Sequence, residues 1–458
     1  MNLVLPNVGP VPLETNIEQT AHERSTALPE TSTGVVAHVV WHSLVWLVVA
    51  NCVGILLAAM LLFPRINDAF GEWTYGRWMP VHLNLQLYGW CSLPLVAFLF
   101  KVYGADERPA ANWSRSVLWL WSGALAAGVF SWLGGHSSGK LFLDWTGYPR
   151  VLFPVALFIL WILLVYAFVK HRRHASNETI KVTSVKIAGL ALLLSIPFLI
   201  YFAANPSIYP PINPDTGGPT GASQLESTLV IIAVLLLLPF GLVERPTKWT
   251  WQLSTSWFVF AAEALLCLGL GRADVSHHRP VQWISLGSLL LWIPLTPAYY
   301  AVFHWHANTN RWRIAFLCWW AVLIPTGWML FLPGVLDHFK FTDGLVAHSL
   351  LAMGGFVSSL LIFVMIELLG DEGWIFNTRW SFILWQTSVI FYVVIMFYAG
   401  YREGFNPAFS FIPGTVRNTI YAARLLLGVF MLIASVDWLF WSFSIVRRPA
   451  STVYSELR

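Results

Sequence analysis

Two histidines of this chain lie inside long apolar stretches, where an imidazole without a partner is costly. His82 lies within the stretch 79–104, and His348 lies within the stretch 343–369. A polar side chain at membrane depth usually has a partner and often marks a functional site. Neutral imidazole is the usual axial ligand of haem iron, so both histidines are candidate haem ligands. The alternative is that each ring only forms a hydrogen bond to a neighbouring helix.

Three arginines, Arg77, Arg402 and Arg417, are predicted near the same membrane face as the two histidines. Guanidinium groups form charge-assisted hydrogen bonds with carboxylates, and the propionates of a haem are carboxylates. These arginines are therefore candidate cofactor-binding residues. The sequence has no Cys-x-x-Cys-His attachment motif, so a haem would be held without a covalent link.

Four charged side chains also fall within apolar stretches: Glu226, Glu263, Arg424 and Asp437. Each is expensive alone in hydrocarbon, so we expect each to be paired or linked to water. A proton relay and a set of structural ion pairs both remain open for the three carboxylates.

The composition indicates what kind of protein positions these residues. Of 458 residues, 57% are hydrophobic and 11% are charged, and the mean hydropathy is +0.63. Average proteins carry about 25% charged residues, so an ordinary soluble enzyme and a disordered protein are excluded. The net charge of +4 comes without a basic run, which excludes a nucleic-acid-binding protein.

Twelve apolar stretches are long enough to cross a membrane, because a spanning helix needs about 20 apolar residues. They are 36–63, 79–104, 113–135, 148–171, 183–204, 222–244, 251–270, 281–305, 313–335, 343–369, 380–401 and 416–446. The sequence therefore predicts an all-α polytopic membrane protein with a twelve-helix membrane domain over 35–447.

The basic residues predict the orientation of this domain. With alternating loops, 17 of the 27 lysines and arginines fall on the side of the chain ends and 10 on the other side. The loop 170–186 carries five of them, whereas the next loop, 205–221, carries none. The positive-inside bias places both termini in the cytoplasm. The polar segment 1–34 is expected to be a disordered cytoplasmic tail, and 448–458 a second cytoplasmic tail.

The spans and motifs together resemble subunit I of the haem–copper oxidase superfamily, closest to cbb-type cytochrome c oxidases and nitric oxide reductases. The segments 76–84, around His82, and 342–348, around His348, are similar to the family's haem-ligand motifs. Weaker similarity lies at 292–294 and 421–428. The resemblance implies a bundle of the subunit I type in a bacterial inner membrane. It adds Asp343, within the second motif, to the candidate cofactor-binding residues.

The resemblance assigns His82 to the family's low-spin haem and His348 to its high-spin haem. The family has a second histidine two residues after the latter, where this chain has Leu350, which cannot bind iron. The expected cofactor is haem b, in one or two copies. Two copies would each have one protein ligand, and one copy would need both histidines after a helix rotation.

The family's second metal, copper or iron, lacks its ligands in this alignment. Its three histidine positions correspond to Gln224, Arg272 and Ala273. An arginine cannot bind copper and would repel it, so copper is expected to be absent. His277 and His278 follow shortly after and remain alternative ligands if the alignment shifts.

These features lead to three functional hypotheses. The first is a haem-b-binding electron-transfer subunit of a respiratory complex without a haem–copper binuclear centre, acting between a c-type cytochrome or quinone and partner subunits. The second is an active cytochrome c oxidase or nitric oxide reductase catalytic subunit, an oxidoreductase that draws metal ligands from elsewhere. The third is a haem-free structural or assembly subunit.

Overall fold

The computed structural model describes residues 32–174, 179–205, 207–208, 224–244, 246, 248–270 and 278–447. Within these ranges the regular structure is helical throughout, and no strand occurs. The predicted tail 448–458 lies outside them, as does the predicted N-terminal tail except for its last residues, where the first helix begins at Ser32.

Twelve helices in the described ranges are long and apolar enough to cross a membrane, which confirms the predicted all-α, twelve-span fold. They coincide with the twelve predicted stretches, with ends shifted by a few residues. They are α1 (Gly34–Leu62), α2 (Tyr75–Tyr103), α3 (Ala111–Leu133), α4 (Pro149–Arg172), α5 (Ile180–Ala203), α6 (Leu225–Leu242), α7 (Trp251–Leu270), α8 (Pro280–Tyr300), α9 (Ala307–Leu330), α10 (Asp343–Phe376), α11 (Arg379–Phe405) and α12 (Thr415–Val446).

The first and last helices pack against each other along the bundle. Trp41, near the start of α1, contacts Phe443, near the end of α12, with ring centroids 6.0 Å apart. We call the side of the bundle that holds these two residues the terminal face, and the other side the opposite face. Because successive spans alternate in direction, His82 and His348 both lie in helices that start at the opposite face.

The interior of the bundle consists of two large apolar clusters. One lies among α1 to α4 and includes the buried side chains of Trp132 and Trp145. The other joins α1, α2, α6 to α12 and includes Trp292, Trp320 and Trp438. α1 and α2 contribute to both clusters, so these two helices are anchored on both sides and α2 is a rigid support for His82.

α2 and α10 share an irregularity that follows directly after each histidine. Each contains a π-helical segment, Leu85–Cys91 in α2 and Leu351–Val357 in α10. The Ser92 hydroxyl donates to the Leu87 carbonyl at 2.9 Å, and the Ser358 hydroxyl donates to the Met353 carbonyl at 2.7 Å. Segments of this kind are frequent at functional sites.

The two π-helical segments are joined to each other across the bundle. The indole N–H of Trp90, within the α2 segment, donates to the Ser358 hydroxyl, directly after the α10 segment, at 2.9 Å. Both groups are buried. This contact fixes α2 against α10 about two turns beyond the histidines.

Candidate functional site

The ring of His82 is fixed by a neighbouring helix. Its Nδ1 forms a hydrogen bond of 2.8 Å with the carbonyl of Ala50 in α1. The ring fits against Gly54, because a Cβ there would lie only 2.8 Å from His82 Cε1. Since the carbonyl can only accept, Nδ1 carries the proton and Nε2 keeps its lone pair. The structure gives Nε2 no hydrogen bond within the described ranges, and the ring keeps part of its surface accessible.

His348 is held less firmly. Its ring lies beside Gly327 of α9, where a Cβ would be 3.3 Å from Cε1. Its Nδ1 is buried and finds no hydrogen-bond partner among the residues that the structure describes. A buried polar atom without a partner costs about 1–3 kcal/mol, so it calls for an explanation. We had predicted, as an alternative to haem binding, that each ring only forms a hydrogen bond to a neighbouring helix. That alternative fits His82, but it does not fit His348 Nδ1.

A cluster of polar side chains lies between α2, α10, α11 and α12. We call it the Arg424 cluster, and its members are Tyr75, Asp343, Tyr392, Tyr421 and Arg424. Arg424 Nη1 lies 3.6 Å from Asp343 Oδ1, with side chains 11% and 14% exposed. The Tyr421 hydroxyl donates to Asp343 Oδ2 at 3.4 Å, and the Arg424 guanidinium lies 5.6 Å from the centre of the Tyr392 ring. Tyr75 completes the set by its electrostatic interaction with Arg424.

The Arg424 cluster is close enough to His82 for electrostatic interaction between Arg424 and the imidazole. It continues toward the opposite face through Glu403, whose carboxylate accepts the backbone N–H of Asp343 at 2.6 Å and the hydroxyl of Ser410. Asp343 is therefore in contact with Arg424, Tyr421 and Glu403.

The three arginines that were candidates for propionate binding have other contacts in the structure. Arg77 donates to Glu72 at 3.2 Å and to the Leu133 carbonyl at 3.0 Å. Arg402 is exposed and donates to the Tyr398 hydroxyl at 3.0 Å.

Arg417 is buried, and its guanidinium donates to the Leu61 carbonyl at 2.9 Å and to the Ser410 carbonyl at 3.2 Å. These contacts join the end of α1 to the start of α12. The buried cation that interacts electrostatically with His82 is Arg424, which the sequence had marked only as a buried charge.

Of the positions that correspond to the second metal, Arg272 and Ala273 lie outside the described ranges, as does the side chain of Gln224. The alternative ligand His277 also lies outside them. His278 is described, is exposed, and lies 3.5 Å from an oxygen of Asp337. Among the described residues, no group of three or more histidine, cysteine, aspartate or glutamate side chains could hold a metal ion.

The three carboxylates marked in the sequence have different surroundings. Glu263 is 4% exposed and accepts the Trp292 indole N–H at 2.6 Å. Asp437 accepts from Thr378 at 3.2 Å and from Trp441 at 3.1 Å. Glu226 is exposed, in the first turn of its helix. The paired or hydrogen-bonded state expected of a carboxylate in hydrocarbon is found for the first two, whereas Glu226 lies at a helix end.

Tyr75, Tyr392 and the Ala50 carbonyl were not recognised from the sequence. A backbone carbonyl in the middle of a helix has no sequence signal, and tyrosine is common at membrane interfaces. The one available signal was Arg424 itself, because a buried cation predicts nearby anionic or aromatic partners.

Comparison with known proteins gives one distant similarity. The chain is 26% identical over 131 residues to a cytochrome c oxidase subunit 1 of Rhodobacter capsulatus, covering 27% of this chain and 24% of that protein. The chain thus spans about a quarter of the length of that relative. No protein-family model matches the chain. Taken with the fold, this describes a multi-pass helical membrane protein that is distantly similar to subunit I of a haem–copper oxidase.

Proposed function

We propose that this protein is a haem-b-binding electron-transfer subunit of a respiratory membrane complex, with His82 as the principal axial ligand. The observation that carries the proposal is the 2.8 Å hydrogen bond between His82 Nδ1 and the Ala50 carbonyl. A histidine that binds a metal nearly always donates its other ring N–H to a carbonyl or carboxylate. That arrangement would leave Nε2 free to bind a haem iron.

The requirement for an axial ligand is a positioned ring with one free, accessible nitrogen, and His82 meets it. His348 supports the proposal differently, because its buried Nδ1 lacks a partner in the described structure. A bound group or a water molecule would relieve that cost. The family's second histidine after the His348 position is replaced by Leu350, which has no lone pair. A haem at His82 would therefore take no ligand from that position.

Haem b would supply one-electron oxidation and reduction at its iron. The residues of this chain would then do three things. His82 would provide the axial ligand, the Arg424 cluster would supply a buried cation that interacts electrostatically with that ring, and the apolar clusters would keep bulk water out. The electron donor proposed is a c-type cytochrome or a quinone, and the acceptor a partner subunit.

The similarity to a cytochrome c oxidase subunit 1 supports a respiratory role but not oxygen reduction by this chain. That reaction requires a second metal beside the haem iron to bind and polarise the substrate. With Gln224, Arg272 and Ala273 at the corresponding positions, we propose that the chain carries electrons and does not itself reduce dioxygen or nitric oxide.

The experiment is an optical redox spectrum of the purified protein, with the haem quantified as its pyridine haemochrome. Wild-type protein is expected to contain one or two haem b per chain, and His82→Ala to lose haem. His338→Ala is the matched control, because His338 also bonds to a carbonyl, that of Tyr401, but lies between α9 and α10, outside the spans. Equal haem content in His82→Ala and His338→Ala would refute the proposed ligand.

Metal analysis and gas consumption distinguish the proposal from an active oxidase. Bound copper together with dioxygen or nitric oxide consumption by the purified chain would establish catalysis instead. A folded chain without iron would leave the structural or assembly role as the better explanation.

A further inference from the structure

A cavity of about 200 Å³ opens on the terminal face, away from the two histidines. Its walls are the loop between α2 and α3 and the last turn of α4, and they include Gly104, Arg108, Lys170 and His171. Gly104 has φ of +72°, and a Cβ there would lie 2.9 Å from His171 Cγ. The glycine therefore permits both the turn and the close approach of His171 that forms one wall.

The cavity lies at the depth of lipid headgroups. α2 ends at Tyr103, α3 begins at Ala111 and α4 ends at Arg172, so its walls come from the ends of three spans. Aromatic side chains adjoin it, as expected at a membrane interface. Trp113 and Tyr166 pack with ring centroids 5.3 Å apart, and Lys170 Nζ lies 5.8 Å from the Tyr166 ring centre.

The charges around the cavity do not cancel. Glu107 lies 3.1 Å from His171 Nδ1, and the two form an ion pair when the histidine is protonated. Asp106 is buried beneath the loop, and its main charged neighbour is Lys101.

Two further positively charged side chains lie at the cavity. Arg108 and Lys170 form no ion pair with any residue that the structure describes, and Arg108 is exposed. Within the described part of the chain, a guanidinium and an ammonium group thus line the cavity without an ion-pair partner, beside Glu107, whose carboxylate contacts His171. Guanidinium and ammonium groups are the usual protein partners of a phosphate.

We propose that this cavity binds the phosphate of an anionic phospholipid headgroup, held by Arg108 and Lys170. Basic pockets between spans on the cytoplasmic side are typical sites for anionic headgroups, and the positive-inside bias assigns the terminal face to that side. The same chemistry would accept free inorganic phosphate. The position between span ends and the adjoining aromatic pair favour the lipid, whose acyl chains would lie along the exposed apolar surface of α4.

The experiment compares short-chain phosphatidylglycerol, short-chain phosphatidylcholine and inorganic phosphate as ligands of the detergent-solubilised full chain, with binding read by native mass spectrometry. The test variant is Arg108→Gln/Lys170→Gln. The control is Lys181→Gln/Arg379→Gln, which removes two exposed cations on the same face. Arg108→Lys/Lys170→Arg keeps the charges, and a thermal melt of every variant verifies folding.

Wild type and the control are expected to bind phosphatidylglycerol more tightly than phosphatidylcholine. The test variant should lose about tenfold or more in affinity for phosphatidylglycerol, since a hydrogen bond to a charged group contributes about 1.5–3 kcal/mol, and the charge-keeping variant should retain it. Equal loss in the test and control variants would overturn the site. Displacement of the lipid by inorganic phosphate, with phosphate alone bound as tightly, would overturn the lipid as its ligand. Neither outcome bears on haem binding by His82.

Discussion

Arg424 of α12 and Asp343 of α10 form an ion pair of 3.6 Å inside the bundle, with both side chains nearly enclosed. Removing one member of a buried pair leaves an uncompensated charge, which costs about 3–5 kcal/mol. Arg424 interacts electrostatically with the imidazole of His82, and the pair joins α10, which carries His348, to α12. It is therefore both a structural contact between two helices and a source of charge that acts on that histidine.

Breaking this pair from either side should destabilise the protein. We expect Arg424→Gln and Asp343→Asn each to lower the melting temperature clearly, because each leaves the opposite charge buried without its partner. The double variant should lose less than the sum of the two. Thermal melts in detergent measure this, with Arg402→Gln, an exposed arginine, as the control. Additive losses would show that the two residues do not interact.

A methyl group at Gly54 should disturb His82 directly. The Cβ of Gly54→Ala would lie 2.8 Å from His82 Cε1, so the ring must move and its hydrogen bond to Ala50 must weaken. We expect a reduced haem content and an altered optical spectrum. Gly428→Ala is the control, since its Cβ would be an ordinary 3.6 Å from Ile55. If the two variants have the same spectrum, the fixed position of the His82 ring is unimportant.

His348→Leu distinguishes two roles for His348, that of an iron ligand and that of a buried side chain with an unsatisfied nitrogen. Leucine suits this test because it fills a similar volume without a polar atom. If His348 binds a haem iron, as its sequence motif predicts, the variant should contain less haem per chain. If His348 binds no iron and its Nδ1 only lacks a hydrogen-bond partner, we expect the opposite result. The variant would then keep its haem and gain about 1–3 kcal/mol of stability, because a buried unsatisfied atom has been removed. Haem quantification and thermal melts on the same samples distinguish the two.

Asp106, in the loop between α2 and α3, should make stability depend on pH. It is 1% exposed, and neither carboxylate oxygen has a hydrogen-bond partner among the described residues. Burial raises the pKa of this carboxyl from 3.8 to about 6, although Lys101 opposes the rise. The folded protein therefore binds a proton more tightly than the unfolded chain does. The contribution of Asp106 to the free energy of unfolding therefore falls as the pH rises from about 4 to about 6, and it is constant above pH 6.

Asp106→Asn removes this cost, so the variant should melt higher than wild type at pH 7.5. The gain should be on the order of 2 kcal/mol there and much smaller at pH 4.5. Asp68→Asn, an exposed aspartate in a short helix outside the spans, is the control. A gain that is the same at both pH values would mean that Asp106 does not titrate in this range.

The spans could be predicted because membrane helices are determined by length and apolar composition, both of which are local properties. The sequence also marked Arg424 as a buried charge that needs a partner. It did not identify Asp343 as that partner, because the pairing depends on how α10 and α12 lie against each other. Asp343 was placed with the cofactor instead, on the resemblance of its motif.

The details around the histidines were beyond prediction for a similar reason. The acceptor for His82 is the backbone carbonyl of Ala50, and any residue type supplies such a group. The π-helical segments after His82 and His348 have no sequence pattern of their own beyond their glycines and the serines that follow. Arg77 and Arg402 were chosen for their depth in the membrane, and depth alone does not predict their contacts with Glu72, the Leu133 carbonyl and Tyr398.

The most direct test of haem binding is the reduced-minus-oxidised spectrum of the purified wild-type chain, with haem counted as its pyridine haemochrome. We expect a Soret band, a haem b α-band and one or two haems per chain. A preparation that melts cooperatively but shows no Soret absorbance and no iron would contradict it.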